Sequence, residues 1–161
     1  MTTDKPIATL HPTISPEALA AIYAHARRDY PEECCGVIYG PKDVPVADRV
    51  VAGTNIQNQL HAEDPVTFPR DARTAYNLGG KDQRELDDSL DGDHPAKIIY
   101  HSHVDVGAYF SETDQKLALF FGEPSRPVDY VVIDVKADGA RCAVQFGWDA
   151  DSLTYVEVAR Y

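Results

Sequence analysis

The stretch "IIYHSHVDVGAYFSETDQKLALFF", residues 98 to 121, admits few folds. It opens with an apolar run, Ile98, Ile99 and Tyr100, that reads as a buried strand. The strand then ends in H-S-H. Alternation puts His101 and His103 on one face and turns Ser102 to the other. A loop containing Gly107 follows. Ser111 and Asp114 then stand three residues apart, ahead of the apolar run "KLALFF". S-x-x-D in that position is a helix start, with Ser111 at the N-cap and Asp114 at N3. The unit is strand, loop, helix. Two imidazoles sit at the strand end and a carboxylate sits in the first helical turn.

Those three side chains suit a metal. Two imidazoles on one strand face can grip one ion, and the helix can fold back to bring Asp114 in as a third ligand. Three protein ligands leave the fourth tetrahedral position to water, which is the zinc arrangement of a hydrolase. Imidazole with carboxylate suits Zn²⁺, while spacing alone leaves Fe²⁺ and Mn²⁺ open. Taken singly, each part has a plainer reading: S-x-x-D is a helix cap, and a lone strand histidine is structural. Their combination demands more than capping and packing, and Ser111 can cap the helix while Asp114 turns inward.

The rest of the chain reads as alternating helix and strand. In "SPEALAAIYAHARRDYPEE", Ser15 is an N-cap and Pro16 occupies the first helical position. Leu19, Ile22, Tyr23 and Ala26 recur at helical spacing, and Pro31 ends the helix. "CCGVIYG" and "VADRVVAG" read as strands. "TNIQNQLHAEDPVTFPRD" reads as a loop with a short strand around Val66 to Phe68, and "ARTAYNL" as a short helix. Gly79-Gly80 interrupts that helix and "KDQRELDDSLDG" resumes it. Pro95 leads into "AKIIYHSH", and "SETDQKLALFF" is the next helix. "PVDYVVIDV", the hairpin turn "ADG", "ARCAVQFGW" and "LTYVEVARY" complete an antiparallel C-terminal third. The expected class is α/β in the broad sense (α+β): a single mixed, largely antiparallel sheet flanked by helices. A length of 161 residues suits one domain.

Charge and composition exclude several functions. A formal net charge of -11 argues against a nucleic-acid binder, which needs a basic face, and against attraction to anionic membranes. No apolar run reaches a transmembrane length, and "MTTDKPIATLHPT" lacks the apolar core of a signal peptide. The expected location is cytoplasmic. Cys34, Cys35 and Cys142 form no disulfide framework, in keeping with a reducing compartment.

"HSHVDVGAYFSETD" resembles the motif of the JAMM/MPN+ zinc metalloproteases, H-[ST]-H-x₇-S-x₂-D. This family includes deubiquitinases and small prokaryotic relatives. The resemblance implies an MPN/JAB (cytidine-deaminase-like) fold and one Zn²⁺ per chain, bound by His101, His103 and Asp114 with water as fourth ligand. It implies that Ser111 stabilises the oxyanion of the tetrahedral intermediate. It also implies a glutamate at the start of the first main strand, and "YPEECCGVIYG" matches with Glu33 rather than Glu32. A carboxylate there can take a proton from zinc-bound water, whose pKa falls to about 7, and pass it to the leaving amine.

"EECCG" and "IIYHSH…AYFSETDQKLA" are similar to the small bacterial branch that acts on ubiquitin-like sulfur-carrier proteins (CysO-cysteine-type peptidases). The implied partner is a ubiquitin-like or sulfur-carrier protein. Its C-terminal Gly-Gly tail, carrying an amino acid or a conjugated protein, would lie extended along a sheet edge near Glu33. Residues 1–13 read as an N-terminal extension and 14–161 as the catalytic domain, in a monomer or homodimer. Competing readings are a non-catalytic MPN binding module and a phage-tail or cell-wall metallopeptidase.

Two departures stand out: Val104 and Phe110 occupy positions where many relatives carry proline. A less rigid loop between His103 and Ser111 is the expectation. The short run after Asp114 leaves little room for the insertion that linkage-specific deubiquitinases use to hold a second ubiquitin. Cys35 is expected to share a face with Glu33. Its plain reading is a buried strand residue, and redox or metal control is the sharper one. His11, His25, His61 and His94 read as structural or solvated. Asp105 and Tyr109 lie in the loop that would meet substrate. Arg70, Arg73 and Arg84 read as a solvated helix face that could meet a partner.

Overall fold

Strand β5, Ala96–Val104, is the axis of the molecule. The structure, a computed structural model, describes residues 11–161. Most of the N-terminal extension read from the sequence therefore lies outside the described residues. In chain order the elements are β1 (Thr13–Ile14), α1 (Pro16–Asp29), β2 (Cys35–Tyr39), β3 (Val46–Ala47), β4 (Arg49–Ala52), α2 (Gln57–Glu63), α3 (Gly80–Ser89) and β5. Then come α4 (Glu112–Ala118), β6 (Leu119–Phe120), β7 (Glu123–Pro124), β8 (Asp129–Lys136), β9 (Gly139–Asp149) and β10 (Thr154–Arg160).

The main sheet has six strands in the order β10-β9-β8-β5-β2-β4, and only β5 and β8 run parallel. This is the mixed, largely antiparallel sheet expected from the sequence. Because β5 and β8 are central, they are covered on both faces and read as continuous apolar runs. Alternation then sorts their side chains. Ile98, Tyr100, Val131, Ile133 and Val135 pack with Ala18, Ile22 and Ala26 of α1. Ile99, Tyr130 and Val132 pack on the opposite face with Leu86 of α3 and Ala118 of α4. His101 and His103 are in phase with Ile99, so the strand aims them at the face that carries α4.

Helix α1 begins as its sequence dictates. The Ser15 hydroxyl accepts from the Ala18 N–H at 3.2 Å, and Pro16 is the first helical residue. Ile22 is fully buried, which contributes about 1.5–3 kcal/mol. The helix also packs through a buried polar contact: His25 Nδ1 lies 2.6 Å from the Tyr100 hydroxyl. Tyr100 reaches His25 by crossing β2 at Gly36, its partner in the β2–β5 register.

Four local expectations need correction. Residues 57–63 are helical, where a loop was expected. Apolar periodicity there is weak, and amide side chains rather than an apolar stripe hold the helix. The segment around Val66 to Phe68 is a turn, not a strand. The Asp64 carboxylate and carbonyl accept from the N–H groups of Thr67 and Phe68, and Val66 is 89 % exposed with no strand beside it. "ARTAYNL" is not a helix. The Ala72 carbonyl accepts from Glu33 N–H, and the Asn77 carbonyl accepts from Ile56 N–H. These long-range bonds take the groups that a helical ladder would use. Finally, α4 stops at Ala118, and Leu119–Phe120 turn into a short hairpin with Glu123–Pro124.

A Cβ on Gly36 would lie 2.4 Å from the Tyr100 hydroxyl oxygen and 2.5 Å from its ring. Tyr100 is fully buried and has nowhere to retreat. Gly36→Ala is expected to lower stability by about 1–3 kcal/mol, measured by urea unfolding.

Candidate metal centre

Ser102 fixes the end of β5. Its hydroxyl accepts from Cys34 N–H at 2.8 Å, and its own N–H donates to the Cys34 carbonyl at 3.1 Å. With Ser102 tied to Cys34, just ahead of β2, the imidazoles on either side point the other way. Their Nε2 atoms are 3.2 Å apart. Helix α4 brings the carboxylate. The Ser111 hydroxyl accepts from Asp114 N–H at 3.0 Å, and Asp114 Oδ2 accepts from Ser111 N–H at 2.9 Å. This is the reciprocal capping box. The same carboxylate lies 3.3 Å from each histidine: Oδ1 to His101 Nε2 and Oδ2 to His103 Nε2.

Chemistry limits what can occupy the point where these atoms converge. His103 Nδ1 lies 3.1 Å from the Gly107 carbonyl, which can only accept, so Nδ1 carries the proton. In the neutral imidazole, Nε2 then presents a lone pair to a carboxylate oxygen. Two acceptors face each other, and a cation between them resolves the conflict. The donor set therefore fits a divalent metal, with His101, His103 and Asp114 as the groups that would hold it. Burial lowers the pKa of His101, while Asp114 acts against that shift. Burial alone would raise the Asp114 pKa; in the metal-free fold the charge of a protonated His101, hydrogen bonds donated by the protonated forms of both imidazoles and the Ser111 N–H overcome it and hold the carboxyl well below its usual range. His101 is further held by Tyr76, stacked on it at 4.2 Å between centroids, while its Nδ1 is buried without a hydrogen-bond partner among the described residues.

Glu33 lies beside the histidines. It is 6 % exposed, and one of its oxygens lies with the two imidazole nitrogens within 4.8 Å of one another. Its neighbour Glu32 is turned elsewhere, its carboxylate accepting from Asn58 Nδ2 at 2.7 Å. Burial, then the Asp114 charge, push the Glu33 pKa up to about 9, and only Arg70 opposes them. Cys35 shares the histidine face but is wholly buried in the core. Burial pushes its thiol far above the ordinary range.

Sequence reasoning passed over the amide residues that position Glu33. Asn55 Nδ2 donates to the carbonyls of Glu33 (2.9 Å) and Ala75 (3.2 Å), and its Oδ1 accepts from the N–H groups of Gln57 and Asn77. Gln57 donates to the Arg70 carbonyl at 2.8 Å and accepts from Asn77 Nδ2 at 2.7 Å. The run N-I-Q-N was the available signal: polar amides at a helix start that satisfy backbone elsewhere.

The loop before Ser111 is anchored differently from the proline pattern. Asp105 (φ 62°) and Gly107 (φ 92°) turn it in left-handed conformations. Phe110 seats its ring among Tyr130, Phe146 and Tyr155, at 5.2–5.4 Å between centroids. The Tyr30 hydroxyl donates to Asp105, and Tyr109 packs edge-on against His103. The site opens into a cleft of about 650 Å³ whose walls include Glu33, Arg70, Arg73, Asn77, Tyr109 and Ser111. Arg70 and Arg73 thus stand on the cleft rim rather than on a helix face. His11, His25 and His61 pair with Asp129, Tyr100 and the Phe68 carbonyl, away from the centre.

Residues 15–144 match the family model described as prokaryotic homologs of the JAB domain. The chain belongs to this prokaryotic JAB family. Two relatives are the proteins named CysO-cysteine peptidase of Mycobacterium tuberculosis and of Mycobacterium bovis. Each is 38 % identical over 106 residues, covering 65 % of this chain and 64 % of theirs. The match thus spans just under two thirds of those relatives' length. Solution structures from Desulfitobacterium hafniense (TM-score 0.63, 19 % identical, 90 % of this chain and 88 % of that one) and Salinibacter ruber (0.58, 20 %, 91 % and 88 %) share the JAB-family chain's fold. No helix among the described residues is long and apolar enough to cross a membrane.

The raised Glu33 pKa has a thermodynamic signature. In the metal-free fold Glu33 keeps its proton up to about 9, whereas in the unfolded chain it ionises near 4.5. Between those values the folded state binds more protons, so stability falls as pH rises. Metal-free Glu33→Gln is expected to gain on metal-free wild type steadily from about pH 4.5 to about 9 in urea unfolding. A pH-independent difference would contradict it.

Proposed function

We propose that this protein is a zinc-dependent peptidase or isopeptidase. It would hydrolyse the bond after the C-terminal Gly-Gly of a ubiquitin-like or sulfur-carrier protein, within a catalytic domain spanning 14–161. One observation carries the reading: two imidazole nitrogens and a carboxylate converge within 3.3 Å of one another, beside a buried glutamate. The name of the mycobacterial relatives supports the substrate class.

Bound by His101, His103 and Asp114, Zn²⁺ would supply Lewis acidity and an acidified water. The chain's own groups do the rest. A cation held by the neighbouring histidines would favour the ionised form of Glu33, which then sits where it can receive the proton of the attacking water and deliver it to the departing amine. Its backbone is held by Ala72 and Asn55, which keeps the carboxyl aimed at the histidines. Ser111 uses one acceptor lone pair in the cap, which leaves its O–H free to donate to the carbonyl oxygen as that oxygen gains charge. The Ala75–Asn77 segment forms one wall of the cleft. A Gly-Gly tail suits such a wall because it brings backbone and no side-chain bulk.

Metal analysis of purified protein is the first test. About one zinc per chain is expected, with weaker retention in Asp114→Ala. Glu33→Gln is expected to keep its zinc and lose roughly 10²–10⁴-fold in turnover of a carrier adduct. A protein that neither contains nor takes up zinc would overturn the peptidase reading and leave a binding module in its place.

A further inference from the structure

Charges in the cleft are unevenly committed. Arg73 is held by Asp71, Nη2 to Oδ2 at 2.8 Å. Asp114 is engaged with the histidines and its own cap. Arg70 is different. Its carbonyl is pinned by the buried Gln57, so its backbone is fixed at the cleft wall. Its side chain is exposed, lines the cleft and makes no ion pair among the described residues. It is also the cation whose charge is felt at Glu33. An uncommitted guanidinium in the same cleft as the proton-transfer group is a ready receptor for an anion. Its planar fork matches a carboxylate in two parallel hydrogen bonds.

The geometry of the leaving group says which anion. In the reading proposed above, on which this inference rests, Glu33 delivers a proton to the departing amine, so that amine lies at Glu33. In an α-amino acid, the amine and the carboxylate carbon share one Cα. With bonds of about 1.46 and 1.52 Å, the carboxylate lies within about 4 Å of the amine. An amine at Glu33 therefore brings its carboxylate into the cleft that Arg70 lines. A lysine side-chain amine in a protein conjugate differs. It ends a four-carbon stem whose own carbonyl is tied up in a peptide bond, so no carboxylate arrives.

We propose that Arg70 is a specificity-determining residue. Its guanidinium receives the free α-carboxylate of a single amino acid leaving the carrier's C-terminus, and the site therefore favours amino-acid adducts over lysine-linked conjugates. The reaction is hydrolysis. The C–N bond after Gly-Gly breaks, hydroxide from water joins the carbonyl carbon, and its proton goes to the amine. The products are the carrier carboxylate and a free amino acid.

The test uses the zinc-loaded full chain and three forms of one probe. The probe is a ubiquitin-fold sulfur-carrier protein ending in Gly-Gly-Cys as the free acid, the same protein as its C-terminal amide, and the carrier joined through Gly-Gly to a lysine side chain of a peptide. Wild type is expected to prefer the free acid over both others by about 10–100-fold in kcat/KM. Arg70→Gln is expected to bring the acid-to-amide ratio of kcat/KM down to about one, with Arg70→Lys intermediate. Equal cleavage of acid and amide by wild type, or an equal loss on both in Arg70→Gln, would overturn the role of Arg70 while leaving the peptidase reading intact. Cleavage of none of the three by zinc-loaded wild type would overturn the peptidase reading itself, and this inference with it.

Discussion

The pairing of β5 between β2 and β8 is the constraint on which the rest of the molecule rests. It sets His101 opposite Cys35 on one side and Val132 on the other, so the strand end cannot slip. A one-residue shift of register would send both imidazoles to the α1 face, among apolar side chains. The Ser102–Cys34 bonds lock that register between the two candidate metal ligands of the strand. Burial on both faces then keeps water from the strand and leaves the histidines facing the cleft.

A second layer of control is polar and comes from farther away. Asn55 joins the Glu33 carbonyl to the Ala75–Asn77 wall, with both of its amide ends fully used. Gln57 extends the same network to Arg70. The candidate proton-transfer group, the cleft wall and the uncommitted cation are thereby set by a few amides at the start of α2. A network of this kind positions well only when every member is satisfied, and here Asn55 meets that condition.

Much of this was legible in the sequence because its signals were local. The alternation of H-S-H places two imidazoles on one face, and S-x-x-D starts a helix by reciprocal capping; neither depends on distant residues. The α1 helix was readable from Ser15, Pro16 and its apolar stripe for the same reason. The region from residue 54 to 78 was not. Its backbone groups bond across some twenty residues of sequence, as from Asn55 to Ala75, and such bonds leave no periodicity to read. Phe110 was also opaque. Without the aromatic cluster it enters, it looked only like a missing proline.

The double use of Asp114 has a consequence for how the centre holds an ion. Its Oδ2 both accepts from Ser111 N–H and faces His103. Helix α4 has seven residues, too short to persist alone in water. Whenever its first turn frays, a candidate ligand leaves with it. The apparent affinity for a cation is therefore the intrinsic affinity scaled by the fraction of time that turn is wound. Retention of an ion at this candidate centre and the winding of one short helix would then form a single equilibrium, and packing at Phe110 and Ala118, away from the candidate ligands, would become part of what sets it.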